Sequence, residues 1–220
     1  MYQNVKVCIA AQDEVKTFFA YDLARLMAYT ASQRPDLALR VQVATGSLIP
    51  RQRETLLNAA LLDASTTHIF FVDSDMRFPK DALLRLLGRE LPAVGASYTA
   101  RKPPFQPNAW ANLETDERVY TTEESTGVQQ VAALGFGCIL LEAEAVVKLR
   151  KPRFLVGYIP ETEAFVGEDI YFCHQLRDKK VPLFVDHDLS KDVSHLGTFE
   201  FCYLHAEASR PAPAPEAAPA

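Results

Sequence analysis

The sequence lacks any long hydrophobic run and has few cysteines, and both features exclude classes of protein. No apolar stretch approaches the ~20 residues that span a bilayer, so we expect any membrane contact to be peripheral. The start of the chain has no signal-like hydrophobic segment, and none of the cysteines forms a Cys-x-x-Cys pair. We therefore expect a cytoplasmic protein with reduced thiols.

Positive charge is also scarce. The chain has 23 Lys and Arg against 28 Asp and Glu, a net charge of −5. It therefore has no general basic field for holding nucleic acid. A negative protein that binds an anionic ligand needs a local cation, which a metal ion or a few placed arginines supply. With 220 residues, 48% of them hydrophobic, the chain can bury a full core, and its length favours one domain.

Strand-like and helix-like segments alternate in the first 97 residues. Short apolar or alternating runs predict strands, and apolar residues at a period close to 3.6 predict helices. The predicted strands are residues 5–11, 37–44, 68–72 and 93–96, and the predicted helices begin at Asp13, Pro50 and Pro79. This alternation predicts an α/β fold, a single Rossmann-like domain whose mostly parallel central sheet is flanked by helices. Ligands of such sheets bind at the carboxyl ends of the strands.

The pattern changes beyond residue 97. Three prolines within residues 103–107 predict a loop, and residues 152–167, aromatic and proline-bearing without a period, predict a mobile flap. Further strands are predicted at residues 119–122, 128–134, 138–141 and 182–186, and further helices at 142–149 and 168–179. We divide the chain into one domain at residues 1–205, with a nucleotide-binding half at 1–97 and an acceptor half at 98–205, and a disordered Pro/Ala-rich tail at 206–220.

The apolar run of residues 68–72 ends in two carboxylates, Asp73 and Asp75. At this spacing a continuing strand, or a turn just after it, brings both side chains to one point. Two carboxylates form a hard-oxygen site for Mg²⁺ or Mn²⁺, and phosphate oxygens complete the shell. The motif therefore predicts a site for a nucleoside diphosphate. The alternative is a solvated acidic turn that caps the next helix.

Three further motifs follow this one along the chain. In order, the four are Phe71-Val72-Asp73-Ser74-Asp75-Met76 with Phe78-Pro79, Gly135-Phe136-Gly137-Cys138, Gly167-Glu168-Asp169-Ile170-Tyr171-Phe172-Cys173, and His195-Leu196-Gly197. Over roughly residues 5–200 their order and spacing resemble the GT-A superfamily of nucleotide-sugar-dependent glycosyltransferases, most closely its small bacterial and phage family-2-like members. The resemblance implies a metal-dependent hexosyltransferase that moves a sugar from a UDP- or GDP-sugar donor to an acceptor hydroxyl, which the sequence does not identify.

The resemblance also implies a metal site. Asp75 matches the metal-binding acid of the family, and Asp73 matches the acid that touches the ribose or reaches the metal through water. His195 matches the histidine that closes the metal shell. A neutral imidazole beside carboxylates favours Mn²⁺ over Mg²⁺. His195 is otherwise an ordinary loop histidine, and His187, which lies between two aspartates, is the competing ligand.

Catalytic and donor-binding residues are implied in the same way. Glu168 and Asp169 match the Glu-Asp pair of the acceptor-side helix, where Asp169 accepts the proton of the acceptor hydroxyl or holds that hydroxyl. The alternative is a favourable helix start. Gly135 and Gly137 would pass beneath the donor sugar, or form a β-bulge. Arg53 matches an arginine of the second helix that relatives usually follow with Asn, but a glutamate follows it here, which leaves the nucleotide base open.

Other function classes stay open at this point. A metal-dependent nucleotidyltransferase needs a glycine-rich phosphate loop, whereas residues 10–16 contain no glycine. A noncatalytic nucleotide- or sugar-binding module fits the short chain. A zinc site formed by Cys173, His174, Cys202 and His205 is another alternative. In the competing interpretation Cys173 and His174 pack in the core. Two roles stay open for Trp110, which are stacking on an acceptor sugar and covering the core. The sequence does not decide the donor sugar, the stereochemistry (inverting or retaining) or the oligomeric state.

Overall fold

Strands and helices alternate along the chain, which a computed structural model describes at residues 3–159, 163–198 and 200–211. The strands of these residues are β1 (Asn4–Ala11), β2 (Ala38–Thr45), β3 (His68–Val72), β4 (Met76–Arg77), β5 (Ala93–Gly95), β6 (Ala109–Asn112), β7 (Glu117–Arg118), β8 (Val128–Val131), β9 (Ala133–Leu134), β10 (Cys138–Glu142), β11 (Gly157–Ile159), β12 (Ala164–Val166), β13 (Leu183–Asp186), β14 (Ser194–Leu196) and β15 (Glu200–Phe201). The helices are α1 (Thr17–Gln33), α2 (Ile49–Leu62), α3 (Ala82–Leu87), α4 (Ala143–Val147), α5 (Glu168–Asp178), α6 (His187–Ser190) and α7 (Tyr203–Ala208). None of these helices is long and apolar enough to cross a membrane.

The central sheet is mostly parallel, as predicted. Among the described residues it has seven strands in the order β2-β1-β3-β10-β5-β13-β8. Strands β2 and β3 lie parallel to β1, and β13 lies parallel to β5. Strand β10 is antiparallel to both of its neighbours, β3 and β5, so those two point the same way. Five strands therefore share one direction, and β10 and β8 oppose them.

The core lies on both faces of this sheet. Alternate residues of β3 pack on opposite faces of the sheet, because successive side chains of a strand point to opposite sides. Ile69 and Phe71 belong to the cluster under α2 and α5, whereas Phe70 and Val72 belong to the cluster under α1 and α3. A strand that is buried on both faces has an unbroken apolar sequence. The carboxyl end of β3 is thus fixed by the packing of four large side chains.

Helix α1 begins later than predicted. Asp13 was expected to cap it, but the cap residue is Lys16, whose backbone N–H donates to the carbonyl oxygen of Ser74 at 3.1 Å. This bond ties the segment before the helix to the turn after β3, so a tertiary contact sets the start of the helix. Phe18, in the first turn of the helix, is 58% exposed. Helix α3 likewise begins at Ala82 and not at Pro79.

Two predicted strands differ in the second half of the chain. Residues 119–122 are not a strand; the strand in this region is β7, which pairs with β6. Residues 128–134 form two strands because the backbone N–H of Ala132 donates to the carbonyl oxygen of Trp110 at 2.7 Å. The chain thereby leaves the central sheet, where β8 pairs with β13, and β9 pairs with β6 in a small sheet. An alternating apolar pattern does not reveal such a change of partner.

The predicted flap at residues 152–167 is anchored at its first residues. Phe154 is buried and stacks on Phe172, with ring centroids 4.7 Å apart. Arg153 is buried against Glu54, and its Nη1 lies 3.1 Å from Oε1 of that glutamate. Strands β11 and β12 then form an antiparallel hairpin, and residues 160–162 between them lie outside the described residues. The start of this segment is therefore part of the core.

Helix α7 lies at the predicted boundary between domain and tail. Helix α7 runs across residue 206, where the tail was expected to begin, and it buries Ala206. Residues 212–220 lie outside the described residues. The two predicted halves share the central sheet, because β8, β10 and β13 of the second half pair with each other or with strands of the first half.

Candidate functional site

The two acids of the Asp-Ser-Asp motif lie at the carboxyl end of β3, in a turn. The backbone N–H of Asp73 donates to the carbonyl oxygen of Gly137 at 3.1 Å, and that of Met76 donates to the carbonyl oxygen of Asp73 at 3.2 Å. Strand β4 then pairs antiparallel with β14, with His195 opposite Met76. The strand pairing thus brings the predicted C-terminal histidine next to the second acid of the motif.

Asp75 and His195 form a pair, as the predicted metal site requires. The ring Nε2 of His195 lies 3.3 Å from Oδ2 of Asp75, and Nδ1 donates to the carbonyl oxygen of Thr99 at 3.1 Å. Because the carbonyl accepts the Nδ1 proton, a neutral ring presents its Nε2 lone pair to the carboxylate. Two acceptors that face each other at this distance favour a cation or a proton between them. A backbone carbonyl that fixes the tautomer is the usual support of a metal-bound histidine.

Arg101 is a third member of this group that sequence reasoning missed. Its Nη1 donates to the same Oδ2 of Asp75 at 2.8 Å and to the carbonyl oxygen of Leu196 at 3.2 Å. Burial tends to raise the pKa of Asp75, but His195 and Arg101 outweigh it, and the pKa is lowered. The carboxylate therefore stays ionised. The only signal in the sequence was a cationic pair of residues at the start of the proline-rich loop.

Asp73 does not join this pair. Both of its carboxylate oxygens accept from Nη2 of Arg53, at 2.8 and 3.0 Å. Among residues 3–159, 163–198 and 200–211, no three His, Cys, Asp or Glu side chains are grouped so as to hold a metal ion. Of the predicted ligands Asp75, His195 and Asp73, the structure brings together the first two. A divalent cation held there would need donor oxygens from its ligand or from water.

Arg53 is buried and pairs with two acids of the protein, and its role in donor binding stays a prediction. Its side chain is 5% exposed, and it forms ion pairs with Asp73 and with Glu168. Its guanidinium carbon lies 5.4 Å from the centroid of the Phe136 ring. Burial opposes the charged form of Arg53, but the two carboxylates outweigh it and raise the pKa. Arg53 therefore joins the end of β3 to the start of α5.

Glu168 and Asp169 begin α5 together but have different surroundings. Glu168 is engaged by Arg53, whereas Oδ1 of Asp169 accepts from the backbone N–H of Ile170 at 2.8 Å. Within the described part of the chain, Asp169 has no ion pair with a cation. Burial raises the pKa of Asp169, and the charge of Arg53 only partly opposes this effect. Of the two predicted catalytic acids, Glu168 is held by Arg53 and Asp169 is not, and the catalytic role of either acid stays a prediction.

The glycines predicted to lie beneath the donor sugar make room for protein side chains. A Cβ atom on Gly135 would lie 2.0 Å from Nδ2 of Asn108, and one on Gly137 would lie 2.6 Å from the ring of Tyr98. The Tyr98 hydroxyl accepts from the backbone N–H of Gly137 at 3.1 Å. Burial, with the nearby charge of Asp73, raises the pKa of Tyr98. Tyr98, which sequence reasoning missed, therefore packs against the backbone of Gly137, and the position of the two glycines beneath a donor sugar stays a prediction.

Two of the alternative metal ligands, His187 and Cys173, form hydrogen bonds with other parts of the protein. His187 is buried, and its ring nitrogens bond to Thr121 at 2.9 Å and to Gln129 at 3.0 Å. Cys173 is buried and donates to the carbonyl oxygen of Leu134. In the described ranges neither residue belongs to a metal-binding group.

Trp110 lies in the small sheet of β6, β7 and β9. Its Nε1 donates to Asp116 at 2.9 Å, and the guanidinium of Arg118 lies 4.0 Å from its ring centroid. The indole is thus held by neighbouring side chains of its own sheet. Stacking of Trp110 on an acceptor sugar stays a prediction.

Comparisons with known proteins give a fold and no sequence relative. No protein-family model matches the chain, and no curated protein matches its sequence. The crystal structure of A197 from STIV is 16% identical over 89% of this chain and 86% of that chain, with a TM-score of 0.56. The crystal structure of GalNAc-T7 with UDP, GalNAc and Mn²⁺ is 10% identical over 89% of this chain and 43% of that chain, with a TM-score of 0.50. At these identities the likeness shows the fold alone, which is a GT-A-like α/β fold.

Proposed function

We propose that this protein is a glycosyltransferase that moves a sugar from a nucleoside diphosphate donor to an acceptor hydroxyl. The observation that carries the proposal is the Asp75 and His195 pair, which lies at the carboxyl end of β3 in a GT-A-like fold. Ligands of parallel sheets bind at this edge. In the proposed arrangement the donor lies at Asp75 and His195, and the acceptor lies at Asp169.

The donor side of the site fits a divalent cation held by Asp75 and His195. The carboxylate is ionised, and because Nδ1 donates to Thr99, Nε2 is the ring nitrogen that would act as a ligand. A mixed oxygen and imidazole set suits Mn²⁺ better than Mg²⁺. When bound, such an ion stabilises the negative charge that grows on the leaving diphosphate. The presence of UDP and Mn²⁺ in GalNAc-T7 supports a UDP-sugar as the first donor to test.

The acceptor side of the site is Asp169. Its raised pKa makes it a better proton acceptor than an exposed aspartate, because a base works best when its pKa approaches the working pH. It also lies close enough to Arg53 and Asp73 for their charges to act on it. We assign to Asp169 the removal of the proton from the acceptor hydroxyl, or the positioning of that hydroxyl. Glu168, held by Arg53, fixes the helix start that carries it.

The test measures donor binding and turnover in one set of variants. Calorimetry with UDP, GDP, CDP and dTDP, with Mn²⁺ or with EDTA, identifies the base and the metal dependence. Slow hydrolysis of the matching sugar nucleotide then reports turnover without an acceptor. Asp169→Asn should keep donor binding and lower hydrolysis about 10²-fold or more, the scale of a lost general base.

Asp178→Asn is the matched control, because it removes the same charge from the exposed far end of the same helix. It should leave hydrolysis near the wild-type rate. Wild-type turnover in Asp169→Asn would remove this residue from the mechanism. Nucleotide binding without any turnover in the wild type would identify a binding module in place of an enzyme, and equal affinity in EDTA would remove the metal from the proposal.

A further inference from the structure

Arg101 lies where the proposed cation would have to bind. Its Nη1 and the Nε2 of His195 both approach Oδ2 of Asp75, at 2.8 and 3.3 Å. A guanidinium and a divalent cation repel each other and would use the same carboxylate oxygen. They therefore exclude each other at Asp75, and a cation that binds there displaces Arg101.

The contact between Arg101 and Asp75 can be broken at little cost. The side chain of Arg101 is 44% exposed, and an ion pair with that exposure contributes little to stability. It begins the proline-rich loop, outside regular structure, and it also donates to the carbonyl oxygen of Leu196. The stem of the arginine passes over Gly197, where a Cβ atom would lie 3.0 Å from its Cδ. The absence of a side chain at Gly197 thus leaves room for the stem.

We propose that Arg101 is a diphosphate-binding residue that alternates between two partners. In the empty site it neutralises Asp75; when the cation and donor bind, it leaves Asp75 and pairs with the diphosphate oxygens beside the cation. The inference rests on the proposed function and extends it to a residue of the donor site.

The diphosphate is the fitting second partner for three reasons. The planar fork of an arginine matches phosphate oxygens in pairs. The displaced head lies next to the cation, whose remaining ligands would be diphosphate oxygens. The chain carries a net charge of −5, so a bound diphosphate needs a local cation besides the metal.

The experiment measures two affinities in Arg101→Met, which keeps the length of the stem and removes the charge. Calorimetry with MnCl₂ alone should give about two- to fivefold tighter binding, because the competing cation is gone. Calorimetry with UDP at saturating Mn²⁺ should give about tenfold weaker binding or more, because a charge-assisted bond to the diphosphate is lost. The opposite directions of the two changes are the signature of an exchange of partners.

Lys102→Met is the matched control, since it removes the same charge from the next, exposed residue of the loop. It should leave the affinity for Mn²⁺ alone within about twofold of wild type, because salt screens an exposed charge that does not contact the site. Arg101→Lys should hold Mn²⁺ as the wild type does and bind UDP with intermediate affinity, because lysine keeps the charge and lacks the fork.

Three outcomes overturn the inference. Unchanged Mn²⁺ affinity in Arg101→Met means that the arginine does not compete for Asp75. Parallel weakening of Mn²⁺ and UDP binding means that it is a fixed support of the site. Equal effects in Arg101→Met and Lys102→Met mean that only net charge matters. These failures differ from a failure of the proposed function, in which the wild type itself shows no Mn²⁺-dependent binding of any nucleotide.

Discussion

The buried bridge from Arg53 to Asp73 and Glu168 makes a sharp prediction about stability. Replacing Arg53 with Met keeps an aliphatic stem of similar length but leaves two carboxylates facing a space without a cation. Removing one partner of a buried ion pair costs about 3–5 kcal/mol, because the remaining charge is left uncompensated. The carboxylate side chains are 25% and 17% exposed, so water can partly reach them.

We therefore expect a loss at the low end of that range, about 3 kcal/mol. For a chain of this length such a loss corresponds to a fall in melting temperature of about 6–12 °C. Nε of Arg53 has no hydrogen-bond partner in the described structure, so its removal costs nothing further. Urea unfolding at pH 7, followed by circular dichroism, measures the difference in unfolding free energy.

The control is Arg34→Met, which makes the same chemical change in the exposed Arg34 and Asp36 pair. It should leave the urea midpoint close to that of the wild type. Adding Glu168→Gln to Arg53→Met should restore part of the loss, since one of the uncompensated charges is then gone. If Arg53→Met unfolds at the same urea concentration as Arg34→Met, the bridge does not stabilise the fold and the reasoning is wrong.

Two further predictions test the acceptor-side acid and the glycine bracket. Burial raises the folded-state pKa of Asp169 above its usual 3.8, so its contribution to stability is full below that value and is lost as the pH rises through the folded pKa. Asp169→Asn should therefore unfold at a higher urea concentration than the wild type at pH 7.5, by a margin that shrinks toward pH 4.5; a margin independent of pH contradicts this. Gly137→Ala should lose about 1–3 kcal/mol by overpacking against Tyr98, and Tyr98→Ala should relieve that added strain. An alanine variant that unfolds like the wild type yet fails to bind donor would show that the glycine serves the ligand.

Much of the first half of the fold could be predicted from local pattern. Strand β3 is buried on both faces and therefore has an unbroken apolar sequence, and the polar turn after it marks its end. The mostly parallel direction of the sheet follows from strands that alternate with helices. The approach of His195 to Asp75 was anticipated through the order of the motifs, and the pairing of β14 with β4 supplies the physical reason.

The partners of charged residues could not be predicted in the same way. Arg53 pairs with acids that lie 20 and 115 positions away, and Arg153 pairs with Glu54 at a separation of 99. Periodicity describes which face of a helix is apolar, but it carries no information on which distant carboxylate meets a given arginine. Glu54 is the residue that stands where the resembling family usually has Asn. Its pairing with Arg153 gives this departure a structural role.

Two arginines contact the two acids of one motif, and their burial separates their roles. Arg53 is 5% exposed and holds Asp73 together with Glu168, so its contacts cannot be exchanged without breaking the core around Phe136. The 44% exposed Arg101 holds Asp75 by a contact whose loss costs about 1 kcal/mol or less. The first acid is therefore a fixed part of the scaffold, and the second is available to a ligand. At the proposed site a divalent cation would therefore meet less resistance at Asp75 than at Asp73, and we expect it to use one acid of the motif and not both.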